Sequence, residues 1–315
     1  MKERCRESSP EELRLMDKGL LNAWDDVRSI TSWKRLEAVI DSLERSDTLG
    51  HDKLAWMFRG EGSWKQDLKT SLEKDSEQYC VNLDKLYCDK IEQGLIRRFK
   101  REYPKHSITV PAMDDEIEWL AIMQHHGAPT RLLDVTYSIY IGLYFALWRY
   151  KPEEQAALWC INQNWLIDAW DQKAPKGYFR EFERDGHGRD LRLYQIVLKH
   201  RRPKVYVINP YHLHERLVLQ QGSFLLPLDI TKTFMTNLSY MPKDPRGRKG
   251  MRKYTERIVK IMINLNKDEL QEVRYKLTRM NINNATLFPG IDGFARSLRD
   301  RLPFDEQRSG RRHGF

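Results

Sequence analysis

The segment 138–150 is apolar or aromatic at nearly every position, running through Ile139-Tyr140-Ile141-Gly142-Leu143-Tyr144-Phe145-Ala146-Leu147-Trp148. A helix with no polar stripe is covered on all sides, so this one is expected to be central and buried in a layered fold. It is too short to cross a bilayer, which takes roughly 20 apolar residues. No other apolar run is longer, and 31% of the chain is charged, so no membrane association is expected. The charged N-terminus, Met1-Lys2-Glu3-Arg4-Cys5-Arg6-Glu7, has no apolar stretch behind it and does not read as a signal peptide. Cys5, Cys80, Cys88 and Cys160 are scattered without metal-ligand spacing, which fits free thiols in a cytoplasmic protein and no structural metal.

Around this helix the pattern predicts a mixture of elements. Ser9-Pro10-Glu11-Glu12 reads as a helix start. Leu36, Val39, Ile40 and Leu43 predict a further helix over 33–43, broken at 48–51. Trp56-Met57-Phe58-Arg59 reads as a short strand running into Gly60-Glu61-Gly62. Helices are predicted over 83–101 and 114–124, from 268 onward, and after Pro289. Strands are predicted at 156–162, 204–208, 223–228 and 258–264. The interleaving is too irregular for a doubly wound sheet. It predicts an α+β fold with a central, partly antiparallel sheet flanked by helices and an N-terminal helical cap. The implied divisions are 1–50 for the helical region, 51–302 for the main domain and 303–315 for a basic tail.

The net charge of +9 is concentrated in two clusters, at 243–253 and 308–313. Both are Gly-rich and poor in aromatics, so they read as solvated loops that attract a polyanion, either a nucleic acid or a pyrophosphate-bearing cofactor.

Three groups of residues have the makings of a site. In the first, Arg59 ends an apolar strand beside Gly60. Arg suits bidentate contact with phosphate or carboxylate, and a glycine admits a ligand close to the backbone. The alternative is that Arg59 makes an internal salt bridge. The second is Gln124-His125-His126-Gly127-Ala128-Pro129-Thr130-Arg131-Leu132-Leu133-Asp134-Val135-Thr136, where hydrogen-bonding groups crowd a Gly/Pro turn just before the apolar helix. There Arg131 and Asp134 could instead pair with each other to hold the turn. The third is Gln220-Gln221-Gly222-Ser223-Phe224, whose amides can orient a ribose or a base edge.

Together these segments resemble the FRG-domain proteins, which are largely bacterial and phage-associated. Phe58-Arg59-Gly60 resembles the naming motif, and the block 124–136 followed by Leu143-Tyr144-Phe145-Ala146 carries the resemblance most specifically. Gln221-Gly222-Ser223-Phe224 and Leu287-Phe288-Pro289 are also similar, so the resemblance runs over roughly 55–300. Glu61 stands where the family usually has Gln. A strand ending in Arg-Gly is also similar to the first motif of ADP-ribosyltransferases, whose Arg helps hold NAD. The resemblance therefore implies an ADP-ribosyltransferase-like fold with NAD as substrate. Arg59, Gly60, Gln124, His125, Thr130, Arg131 and Thr136 would line the NAD site, and Tyr144 would form a stacking wall. Gln220 or Gln221 would sit near the usual catalytic Glu, with Glu61 or Asp134 supplying the missing carboxylate. The implied catalytic set is Arg59, Asp134 and Gln221. The activity implied is cleavage of NAD, or transfer of ADP-ribose to a protein or nucleic acid, by an effector in antiphage defence or a toxin. A non-catalytic sensor that binds a nucleotide or a phage protein in the same pocket is the alternative.

Overall fold

The computed structural model describes residues 28–46, 56–79, 88–148, 150–151, 154–171, 203–209, 215–242 and 257–298. The helix start at 9–12, both basic clusters, and Cys5 and Cys80 lie outside them. One seven-stranded sheet organises the chain. Its strands are β1 (Ser29–Ile30), β2 (Trp56–Glu61), β3 (Leu133–Thr136), β4 (Ala156–Asn162), β5 (Val205–Ile208), β6 (Gly222–Pro227) and β7 (Ile258–Ile263). They lie in the order β1-β7-β4-β2-β3-β6-β5. Only β1 and β7 run parallel; every other neighbouring pair is antiparallel. The fold is α+β, as the irregular interleaving predicts.

The interior strand β4 is buried along its whole length, and its side chains alternate between two apolar layers. Ala156, Leu158 and Cys160 face one layer, and Ala157, Trp159 and Ile161 face the other. The first layer is covered by α1 (Trp33–Ser46), α5 (Ile139–Leu147) and α9 (Lys267–Arg279). Residues 29–46 thus add an edge strand and a covering helix to the sheet. The apolar helix α5 is the central element its sequence predicts, with Ser138 capping it by accepting from the Ile141 amide.

Between these elements lie α2 (Ser71–Gln78), α3 (Cys88–Glu102), α4 (Glu116–His125) and α6 (Gln163–Asp171). The C-terminal half adds α7 (Glu215–Leu219), α8 (Phe234–Ser239), α10 (Asn284–Leu287) and α11 (Ile291–Ser297). Helix α2 opens on a complete capping box, in which the Thr70 hydroxyl accepts from the Glu73 amide and the Glu73 carboxylate accepts from the Thr70 amide. Helices α3 and α4 form a third apolar cluster with Leu132 and with Phe224 and Leu226 of β6. Among the described residues no helix is long and apolar enough to cross a membrane.

Two features open a gap in this architecture. Strand β2 pairs with β4 over six residues but with β3 at one position only, Phe58 opposite Thr136, so the two strands part beyond it. Strand β3 is interior to the sheet, yet the Asp134 side chain is 51% exposed.

Candidate functional site

The gap is a cavity of about 280 Å³. Its walls come from Arg59, Gly60 and Glu61 on β2, Asp134 and Thr136 on β3, Phe145 and Trp148 on and just after α5, and Arg216 and Gln220 on and just after α7.

Arg59 spans the parted strands. Its Nε donates to Glu61 Oε1 at 2.7 Å and its Nη1 to the Asp134 carbonyl at 2.7 Å, with Asp134 Oδ2 3.9 Å away. Glu61 is almost fully buried and has Lys74 Nζ at 3.7 Å as its other cation. The ionic partner in contact with Arg59 is therefore its near neighbour on the same strand. Gly60 admits a helix: a Cβ there would lie 2.1 Å from the Gly142 carbonyl oxygen and 2.3 Å from the Ala146 nitrogen. The α5 main chain fills the space that a side chain at this position would take, while the Gly60 backbone lines the cavity.

Asp134 is the open carboxylate of the cavity. Gln124 Nε2 donates to its Oδ2 at 2.7 Å, and Gln124 Oε1 in turn accepts from Thr130 Oγ1 at 2.5 Å and Ser71 Oγ at 3.1 Å. Gln124 and Thr130 therefore fix the Asp134 carboxylate rather than line the cavity, and Thr130 is fully buried. The Thr136 hydroxyl donates to the Gln220 carbonyl at 2.7 Å, tying the end of α7 to the sheet.

Arg131 does not pair with Asp134, and it does not reach the cavity. Its guanidinium is buried against Glu92 of α3, with Nε at 2.7 and 2.9 Å from the two carboxylate oxygens. Both side chains are at most 2% exposed. An arginine beside the Gly/Pro turn thus clamps α3 to β3. Tyr144, expected as the stacking wall, lines a neighbouring cavity, because consecutive residues of a helix face different directions. Phe145 and Trp148, three residues apart on one face, form the wall, with ring planes 3° apart and centroids 6.1 Å apart. Gln221 has φ of 45° at the turn into β6 and is exposed, and it is Gln220 that lines the cavity. The Gln220 carboxamide donates to the Leu287 carbonyl at 2.9 Å. His125 contributes its carbonyl, 3.4 Å from Arg216 Nη1, while its ring meets His126 edge to face.

Arg216 belongs to no motif visible in the sequence. It is half-buried, with its guanidinium 4.7 Å over the Phe288 ring, and Phe288 packs edge-on against Trp148 at 4.9 Å. Among the described residues no carboxylate lies within ion-pair distance of it. Burial pulls its guanidinium below the ordinary arginine value, the charge of Asp134 opposes that shift, and Arg296 adds to it. The one hint in the sequence is its spacing of four from Gln220, which puts both on one side of a short helix.

Residues 54–155 match the family model of the FRG domain. The match supports the FRG-domain family for this chain and takes in β2, β3 and α5, and with them Arg59, Asp134, Phe145 and Trp148. Arg216 and Gln220 lie beyond it. No curated protein and no solved structure is significantly similar to the chain.

Chemically, the cavity presents two guanidiniums, one open carboxylate, a carboxamide and a pair of parallel aromatic rings. That set suits a ligand with an anionic group and a flat ring.

Proposed function

We propose that this FRG-domain cleft binds NAD, and that the protein cleaves the nicotinamide–ribose bond or transfers ADP-ribose. The observation that carries the reading is Arg216, a partly desolvated guanidinium with no carboxylate in contact among the described residues, facing the same cavity as Arg59 and the Phe145–Trp148 pair. A phosphate is the group that such an arginine accepts, and a nucleotide ring fits an aromatic wall. At about 280 Å³ the cavity suits one nucleotide half of NAD, with the other half extending from its mouth.

Asp134 is the residue for the chemistry, because Glu61 is committed to Arg59 and Lys74. As the C–N bond breaks, nicotinamide leaves as a neutral molecule with the bonding electron pair, and positive charge develops on the ribose. A carboxylate held by Gln124 stabilises that charge. Water or an acceptor side chain then bonds to the ribose carbon and gives up a proton. The setting that fits the family resemblance is an effector in bacterial conflict, in antiphage defence or toxicity. One observation favours the non-catalytic sensor instead: of the Gln220–Gln221 pair that the resemblance sets near the usual catalytic Glu, Gln220 lines the cavity, and a carboxamide cannot act as an acid or base.

The test is to incubate the pure protein with NAD and follow free nicotinamide and ADP-ribosylated protein by mass spectrometry. Release of nicotinamide that is lost in Asp134→Asn supports the enzyme, and NAD binding without release supports the sensor. No binding and no release refutes both.

A further inference from the structure

The start of α4 borders a groove of about 580 Å³. Arg97, Lys100 and Arg101 of α3 line it, together with Pro104, Met113 and Glu116. Glu116 is the first residue of α4, whereas Gln124 near its end holds Asp134, so about 12 Å of helix separates this groove from the cleft. The charges in the groove do not balance. Lys100 Nζ lies 2.7 Å from Glu116 Oε1 and donates to the Met113 carbonyl at 2.8 Å, so this lysine is committed. Arg97 and Arg101 are exposed, and among the described residues neither has a carboxylate within ion-pair distance. They stand four apart on α3, the spacing at which like charges repel along one helix face. The helix dipole favours cations in the last turn, which accounts for Arg101 but not for Arg97 in the turn before it. Beside the arginines the surface is aliphatic. Met113 is exposed, and so are Ile108 and Val110 in the connection between Pro104 and Met113.

We propose that this groove docks an acidic peptide segment of a protein partner, with its carboxylates on Arg97 and Arg101 and an aliphatic side chain against Met113. Exposed guanidiniums with no carboxylate of their own suit bidentate contact with the partner's carboxylates. The aliphatic groups beside them supply apolar area to bury, and Arg and Met are both enriched in protein interfaces. A single-stranded nucleic acid calls for rings on which its bases stack, and none of the lining residues is aromatic. The inference does not depend on what the cleft binds.

Fluorescence anisotropy of the full chain with a labelled Glu-rich peptide carrying one Leu tests the proposal. The comparison probes are the same peptide with Gln for Glu, the same peptide with Ser for Leu, and labelled single-stranded and duplex RNA. The acidic peptide should bind the wild-type protein with a Kd of about 100 µM or tighter, and both altered peptides should bind several-fold more weakly. Arg97→Glu/Arg101→Glu should weaken the acidic peptide by about tenfold or more. It breaks no ion pair among the described residues, so thermal stability should hold. If that variant fails to fold, Arg97→Gln/Arg101→Gln takes its place with the same expected loss. No binding of the acidic peptide to wild type, equal binding of either altered peptide, unchanged binding in the folded variant, or tighter binding of either RNA overturns the proposal.

Discussion

Replacing Arg59 with alanine distinguishes a ligand-holding arginine from a structural one. If Arg59 served only a ligand, the unliganded protein would keep its stability. The geometry points the other way. Arg59 Nε lies 2.7 Å from Glu61 Oε1, with the Glu61 side chain 7% exposed and the Arg59 side chain 19% exposed. Removing the cation leaves a buried carboxylate with Lys74 at 3.7 Å as its remaining partner. Breaking a fully buried pair costs about 3–5 kcal/mol. Partial exposure of Arg59 and the residual Lys74 contact reduce this to about 2–3 kcal/mol. At roughly 2–4 °C per kcal/mol, the melting temperature falls by about 4–12 °C. Urea or thermal melts of Arg59→Ala and of Arg59→Ala/Glu61→Gln measure it. The double variant no longer buries a charge and should recover at least half of the loss. If Arg59→Ala costs under about 0.5 kcal/mol, or Glu61→Gln restores nothing, then Arg59 is not what stabilises Glu61, and the assignment fails.

The same geometry yields other expectations. Gly60→Ala sets a methyl against the α5 main chain and should destabilise by about 3 kcal/mol or more in a denaturant melt. Arg131→Ala removes the guanidinium buried against Glu92 and should cost about 3–5 kcal/mol; a ligand-binding loss in a variant of unchanged stability would contradict its structural role. Glu73, which also accepts from the Phe234 amide, has its carboxyl raised above the ordinary value by burial, against the hydrogen bonds that lower it. The folded protein therefore keeps a proton that the unfolded chain has lost, so Glu73 makes stability fall as pH rises through and above the ordinary carboxylate range. Glu73→Gln keeps the capping geometry and should flatten that slope in urea melts between about pH 4 and pH 7.

The larger elements were legible because their apolar patterns are strong. The strand at Ala156–Asn162 and the central helix Ile139–Leu147 fall where their composition predicts. Strand β3 was hidden: Leu133-Asp134-Val135-Thr136 does alternate, but it is four residues long and adjoins a turn full of polar groups. Helix α2 was missed although Thr70 and Glu73 carry a capping signature, since the eight residues that follow have little apolar content. The site was half legible. Arg59, Asp134 and Thr136 line the cleft, whereas Arg131, Thr130 and Gln124 turned out to hold the turn and the carboxylate in place. Local sequence shows which residues can hydrogen-bond but not which way they face. Beyond its spacing from Gln220, Arg216 could not be read, because its place in the cleft depends on how α7 packs against the ends of α4 and β3.

The most direct test of the cleft assignment is a calorimetric titration of NAD into the wild-type protein and Arg216→Ala. Among the described residues Arg216 has no carboxylate partner to orphan, so the variant should melt near the wild-type temperature. Loss of a charge-assisted phosphate contact is worth about 1.5–3 kcal/mol, so its NAD affinity should fall by roughly 10- to 150-fold. A folded Arg216→Ala that binds NAD as tightly as wild type, or a wild-type protein that gives no heat with NAD, would contradict the account.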